Sequence, residues 1–167
     1  MDRLIFLGTA GARVMVANQI LASGGLWLDL AGTQILLDPG PGTLVQAVKR
    51  KLRASKLDAI VLSHRHLDHS ADVNIMIEAM TEGGLRPRGM LFAPSDALQN
   101  DPVVLHYLRS YLSRIEVLEE GQSYEIGEVC LKTPIRHHHP VETYGLIFET
   151  PSHTISCIVD TRFFSEL

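Results

Sequence analysis

The sequence predicts a mixed α/β fold, and three observations carry that expectation. Short apolar segments separated by turn residues run as far as Leu37, apolar residues at helical spacing follow, and strand-like texture returns from Arg114 onward. Arg3 to Leu7 reads as a strand ending in the small-residue turn Gly8-Thr9-Ala10-Gly11. Leu26–Leu30 and Thr33–Leu37 flank Ala31-Gly32, the pattern of a hairpin. Asp38-Pro39-Gly40-Pro41-Gly42-Thr43 breaks the strand pattern, and Leu44, Val45, Ala47, Val48 and Leu52 resume at helical spacing. Ala59–Ser63 is a further apolar run. Ala71 to Thr81 is a helix with one wide apolar face, closed by Gly83-Gly84, and its Met76 and Met80 are core filler. Gly89–Ala93 is a strand and Pro102–Tyr111 a helix. Ile115–Leu118, Glu128–Leu131, Tyr144–Glu149 and Thr154–Val159 are the later strands, with the helices grouped on one side.

Length and composition set the bounds. The chain has 167 residues, enough for one domain over 1–167 with a sizeable core. Hydrophobic residues make up 46% and charged residues 20%, which excludes a disordered chain. Runs such as Leu4–Leu7 and Ile35–Leu37 are far too short to span a bilayer, and no export signal opens the sequence, so the expected location is cytoplasmic. Cys130 and Cys157 both fall in strand-like segments and read as buried, reduced thiols. The net charge of −4 argues against a broad basic face for nucleic acid, although a local groove neutralised by bound cations would still admit a phosphate.

The densest chemistry lies in His64-Arg65-His66-Leu67-Asp68-His69, directly after the apolar run. Imidazole nitrogens with a carboxylate oxygen suit zinc and also manganese or iron. An extended chain points alternate residues to one side, so His64 and His66 can face one ion, while a turn into helix at Asp68-His69-Ser70 swings two further ligands toward a second. A second cluster, His137-His138-His139-Pro140, precedes the strand from Tyr144, and its alternation allows at most two of the three to face a site. Asp160 ends the apolar segment Ile158-Val159, where it can bridge two ions; taken alone it reads as a turn or cap residue. His106 has no companion ligand, and His153 reads as a surface turn residue.

These residues resemble the metallo-β-lactamase superfamily, whose pattern is H-x-H-x-D-H after a strand, a distant His, an Asp ending a strand and one last His. Leu7-Gly8-Thr9 and Asp38-Pro39-Gly40-Pro41-Gly42-Thr43 resemble its opening, and His139-Pro140-Val141-Glu142-Thr143-Tyr144-Gly145 looks like the third motif of the ribonuclease Z and phosphodiesterase branch. The resemblance implies an αββα sandwich with mixed sheets. It also implies two divalent ions, zinc foremost, with His64, His66 and His139 on one, Asp68 and His69 on the other, and Asp160 bridging. His137 and His138 then lie beside the site or face solvent. No histidine follows Asp160, so the expectation is a chain truncated before its closing C-terminal elements, tending to associate into homo-oligomers.

The implied activity is a metal-dependent hydrolase in which the paired ions activate a shared water, with Asp68 as the catalytic carboxylate orienting it and taking its proton. A phosphodiesterase acting on a nucleic-acid or small phosphodiester substrate is the leading reading, although Ser70-Ala71-Asp72 replaces the usual Gly-Leu stretch and no basic arm for tRNA is evident. The alternatives are a lactonase or thioesterase using the same site, and a metal-binding module without catalysis.

Overall fold

The computed structural model describes residues 2–11, 13–18 and 20–167. Strands β1 (Arg3–Phe6), β2 (Leu26–Leu30), β3 (Thr33–Leu37), β4 (Ala59–Val61), β5 (Met90–Ala93) and β6 (Arg114–Val117) form one sheet in sequence order. Its first three strands are antiparallel and β3 to β6 are parallel, so the sheet is mixed. The hairpin between β2 and β3 turns at Ala31 and Gly32, both with positive φ (49° and 81°), as the twist of paired strands favours. A second, antiparallel sheet has the order β10 (Thr154–Cys157), β9 (Leu146–Glu149), β8 (Val129–Thr133), β7 (Gln122–Ile126).

The alternation of side chains explains how the first sheet is covered twice. Trp27, Leu36, Ile60 and Leu91 pack with Val73, Met76, Ile77 and Met80 of helix α4 (Val73–Thr81). Their neighbours Leu28, Ile35, Leu37, Val61 and Phe92 turn the other way, onto Leu131, Leu146 and Phe148 of the second sheet. Helix, sheet and sheet are thus three layers of an αββα sandwich, with the helices on one side. Among the described residues no helix covers the outer face of the second sheet, where Lys132 and Glu149 pair at 2.6 Å. No helix of the described residues is long and apolar enough to cross a membrane.

Several expected elements differ. The helix expected over Pro102–Tyr111 is only a 3-10 turn, His106–Tyr111, because Asn74 holds the preceding backbone out of helix. Its Nδ2 donates to the Val103 carbonyl (2.8 Å) and its Oδ1 accepts from the Leu105 N–H (2.9 Å). The helix expected from Ala71 begins at Val73, after a separate turn α3 (Leu67–Ser70). Asp72, at its start, accepts the Leu44 N–H from α2 (Thr43–Lys49) instead of capping its own helix. Helix α1 (Arg13–Ala17), helix α5 (Ser95–Leu98) and strand β7 were not expected; the last is polar at its exposed positions and lacks an apolar run. The strands expected over Tyr144–Glu149 and Thr154–Val159 are shorter by two residues each. Both cysteines are free and half-buried rather than buried. Cys157 packs on the inter-sheet core, and burial raises its thiol to about 11.

Candidate metal centre

Strand β4 delivers the first motif. After Val61 the chain bends at Ser63, runs without regular structure to His66 and then enters α3, where the Ser70 hydroxyl fastens the carbonyls of Arg65 (2.9 Å) and His66 (3.0 Å). His64, His66, His69 and His139 meet here, with ring centroids of the His64 pairs 4.2–5.1 Å apart. His66 Nδ1 and His139 Nε2 face each other at 3.0 Å. His64, His66, His139 and Asp160 can each offer a ligand atom, all within 4.8 Å of one another. The two Asp160 oxygens diverge: Oδ2 lies 3.9 Å from His139 Nε2 and Oδ1 lies 3.7 Å from His69 Nε2. Asp68 Oδ2 lies 3.9 Å from the same His69 nitrogen. All six residues singled out in the sequence therefore gather at one place.

Asp38 and Ser63 were not among them, yet they orient two of the histidines. Asp38 accepts the Ser63 N–H on Oδ1 (2.7 Å) and the Ser63 hydroxyl on Oδ2 (2.6 Å). With its proton committed to Asp38, Ser63 Oγ can only accept from His64 Nδ1 at 3.0 Å. His64 is then protonated on Nδ1, and its Nε2, buried without a hydrogen-bond partner among the described residues, presents a lone pair to the cluster. Asp38 Oδ2 also receives His69 Nδ1 (3.0 Å), which turns His69 Nε2 toward Asp68 and Asp160. One carboxylate thus sets the tautomers of both rings, an arrangement typical of metal-ligating histidines. The sequence signal was the Asp-x-Gly-x-Gly-Thr stretch, which suggested the fold family without assigning Asp38 a task.

Electrostatics follows from the same contacts. Burial, followed by the neighbouring His69, lowers His64 to about 3, so the ring is neutral and available as a ligand. Burial would lower His69 too, but the hydrogen bond and charge of Asp38, with Asp68 and Asp160, raise it above its ordinary value.

The third motif is fixed by two devices. Glu142 accepts the Ser95 hydroxyl and the Tyr144 hydroxyl, each at 2.6 Å, while its N–H donates to Asp96 Oδ2 (3.1 Å). Burial would raise the Glu142 carboxyl, but the bonds from Ser95, Tyr144 and the Asp96 backbone hold it below its ordinary value. This ties the loop after His139 to α5. His137 is buried, and its Nε2 would lie 2.7 Å from any Cβ added at Gly145, so glycine there leaves room for the ring. His138 is exposed and stacks on Phe164 at 4.3 Å. Its backbone binds Thr161 and Arg162, holding the segment around Asp160 beside His139. His106 and His153 are exposed, and His153 lies 3.2 Å from Asp2.

Gly40 joins the Asp38 loop to the first motif. A Cβ there would fall inside contact distance of the Asp68 carbonyl oxygen, backbone that has no rotamer to escape by. Gly40→Ala is expected to cost about 1–3 kcal/mol and to lower metal content, because the loop must withdraw from Asp68. Urea unfolding and elemental analysis check this; parent-like values in both would refute it.

A family model described as a beta-lactamase superfamily domain matches residues 33–167. The chain belongs to the beta-lactamase superfamily. Among superfamily relatives, an uncharacterized protein of Methanocaldococcus jannaschii is 30% identical over 168 residues, covering 98% of this chain and 63% of the relative. A ribonuclease Z of Methanopyrus kandleri is 28% identical over 162 residues, covering 90% of this chain and 52% of the relative. The metallo-beta-lactamase fold protein YhfI of Bacillus subtilis superposes with a TM-score of 0.73 at 21% identity, over 93% of this chain and 61% of that one, a likeness of fold. The chain therefore spans between about half and two thirds of these superfamily members.

Proposed function

We propose that this chain carries the metal site of a metal-dependent hydrolase acting on phosphodiesters. The observation that carries the reading is the convergence of His64, His66, His139 and Asp160 within 4.8 Å, with the buried His64 Nε2 lacking a hydrogen-bond partner among the described residues. His64, His66 and His139 would hold one divalent ion, Asp68 and His69 a second, and Asp160, whose oxygens diverge toward His139 and His69, would bridge them. Nitrogen donors with carboxylate favour zinc, with manganese or iron as alternatives. Paired divalent ions lower the pKa of a bound water and polarise the oxygen under attack. Two carboxylates line the cleft, and with Asp160 assigned as the bridge, Asp68 is the one that would orient that water and accept its proton. Asp38 and Ser63 keep His64 and His69 in the ligating tautomers throughout.

Phosphodiesters are favoured over carbonyl substrates by the third motif and by the relative named ribonuclease Z. The cleft beside the cluster, about 750 Å³ and lined by Val16, Ala17, His66, Leu67, Asp68, His139 and Asp160, has room for much more than one phosphate. The cytoplasm fits this role, since its reducing conditions keep the two free thiols intact. Hydrolysis of bis-p-nitrophenyl phosphate by the protein loaded with zinc or manganese, set against lactone and thioester substrates, tests the reading. Turnover of the diester is expected. Turnover of only the lactone or thioester would reassign the electrophile, and no turnover of any would leave a metal-binding module.

A further inference from the structure

Arg65 stands between two of the proposed ligands, and it does not line the metal-site cleft but faces the other side of the loop. There it lines a second cleft of about 440 Å³ with Ser70, Asn74, Asp101, Pro102 and Val103. This cleft and the metal-site cleft share His66 and Leu67, so they meet across the Leu67 side chain, which is 68% exposed. The Arg65 side chain is 24% exposed, and its Nη2 donates to the Asp101 carbonyl at 2.7 Å. That acceptor carries no charge. The Asp101 carboxylate is 3.6 Å away and its side chain is 99% exposed, an arrangement in which screening leaves little net attraction. Among the described residues no acceptor pairs with Arg65 Nε or Nη1, which lie on opposite edges of the guanidinium, so on either side of the Nη2 held by Asp101 an N–H is open to an anion. Asn100 and Asp101 both adopt positive φ (44° and 67°), the loop shape that brings the Asp101 carbonyl to the guanidinium.

We infer that Arg65 forms an anion subsite for a second phosphate of the substrate, beside the group being cleaved. The substrate class is then a phosphodiester that carries another phosphate, as an oligonucleotide does, rather than an isolated diester. This rests on the phosphodiesterase reading above. A chain crossing from one cleft to the other passes over Leu67, whose exposed apolar side chain can pack against a sugar or base.

The test compares TpT with pTpT and TpTp as substrates of the metal-loaded protein. One of the phosphorylated dinucleotides is expected to be preferred in kcat/KM by about tenfold, a charge-assisted contact. Arg65→Gln should bring that ratio near one, and Arg65→Lys should keep part of it, having the charge without the fork. A ratio near one in the parent overturns the subsite. So does an equal proportional loss on all three substrates in Arg65→Gln, which would make Arg65 only a strut for the Asp101 loop. Calorimetric binding of the corresponding methylphosphonate-linked analogues, which need no turnover, separates this from the functional reading. A terminal-phosphate preference that Arg65→Gln abolishes upholds the subsite even if no diester is cleaved, and equal binding of all analogues overturns it.

Discussion

Replacing Asp38 by alanine is expected to lower zinc affinity about 10- to 100-fold, the usual effect of removing the group that orients metal-ligating histidines. The residue touches no proposed ion, yet both proposed metal positions depend on it through Ser63–His64 and through His69. Without the carboxylate the Ser63 hydroxyl can rotate and donate to His64 Nδ1, moving the ring proton to Nε2, where it blocks the lone pair. The same change strips the buried Ser63 N–H and hydroxyl of their acceptor, at about 1–3 kcal/mol for each group left unsatisfied. Two readouts should therefore move together: affinity in a chelator competition, and the urea midpoint of the metal-free protein. Asp38→Asn tests the tautomer argument more narrowly, since it keeps the volume and one acceptor but replaces the other oxygen by a donor facing His69 or Ser63. Unchanged zinc affinity in both variants would refute the role given to Asp38.

His66→Ala is the second large effect, and it should reduce bound metal measured by elemental analysis by at least tenfold at low metal concentration. His66 Nδ1 faces His139 Nε2 at 3.0 Å, so its loss opens the middle of the cluster. Asp68→Ala should lower metal content through the second position, leaving the first better occupied. His106→Ala is the matched control, because His106 is exposed on a 3-10 turn far from any companion ligand. The measurement belongs in a pH series, because burial favours neutral His69 but Asp38, Asp68 and Asp160 outweigh it and hold the proton, so bound metal should rise with pH as that proton leaves. Metal content after His66→Ala equal to that of the parent would overturn the assignment, and the His106→Ala value calibrates what a bystander histidine does.

Much of the candidate site was legible because four of its proposed ligands follow closely on β4, in a segment whose local pattern is strong. Ala59 to Leu62 is continuously apolar since β4 is buried on both faces, and such a strand must end where polar groups can reach a cleft. The His139 assignment rested on resemblance, because alternation alone could not choose among His137, His138 and His139. The structure separates them by environment: His137 is buried against Gly145, His138 stacks on Phe164 in solvent, and His139 faces His66. Where local pattern misled, a distant side chain had intervened, as when Asn74 took the backbone bonds that a helix over Pro102–Tyr111 would have used.

By itself the sequence determined the α/β class, the hairpin, the first motif and the set of six proposed ligands, all of which depend on residues close together in the chain or on motif spacing. Only the tertiary structure decided that Asp38, 25 positions before Ser63 and 31 before His69, governs the protonation of two rings. It likewise decided that Glu142 is tied to α5, and that Arg65 opens onto a second cleft. The physical reason is range. Periodicity and turn chemistry act over a few residues, whereas a hydrogen bond that fixes a tautomer requires two loops to meet within about 3 Å, and that meeting is set by the packing of the sheets beneath them.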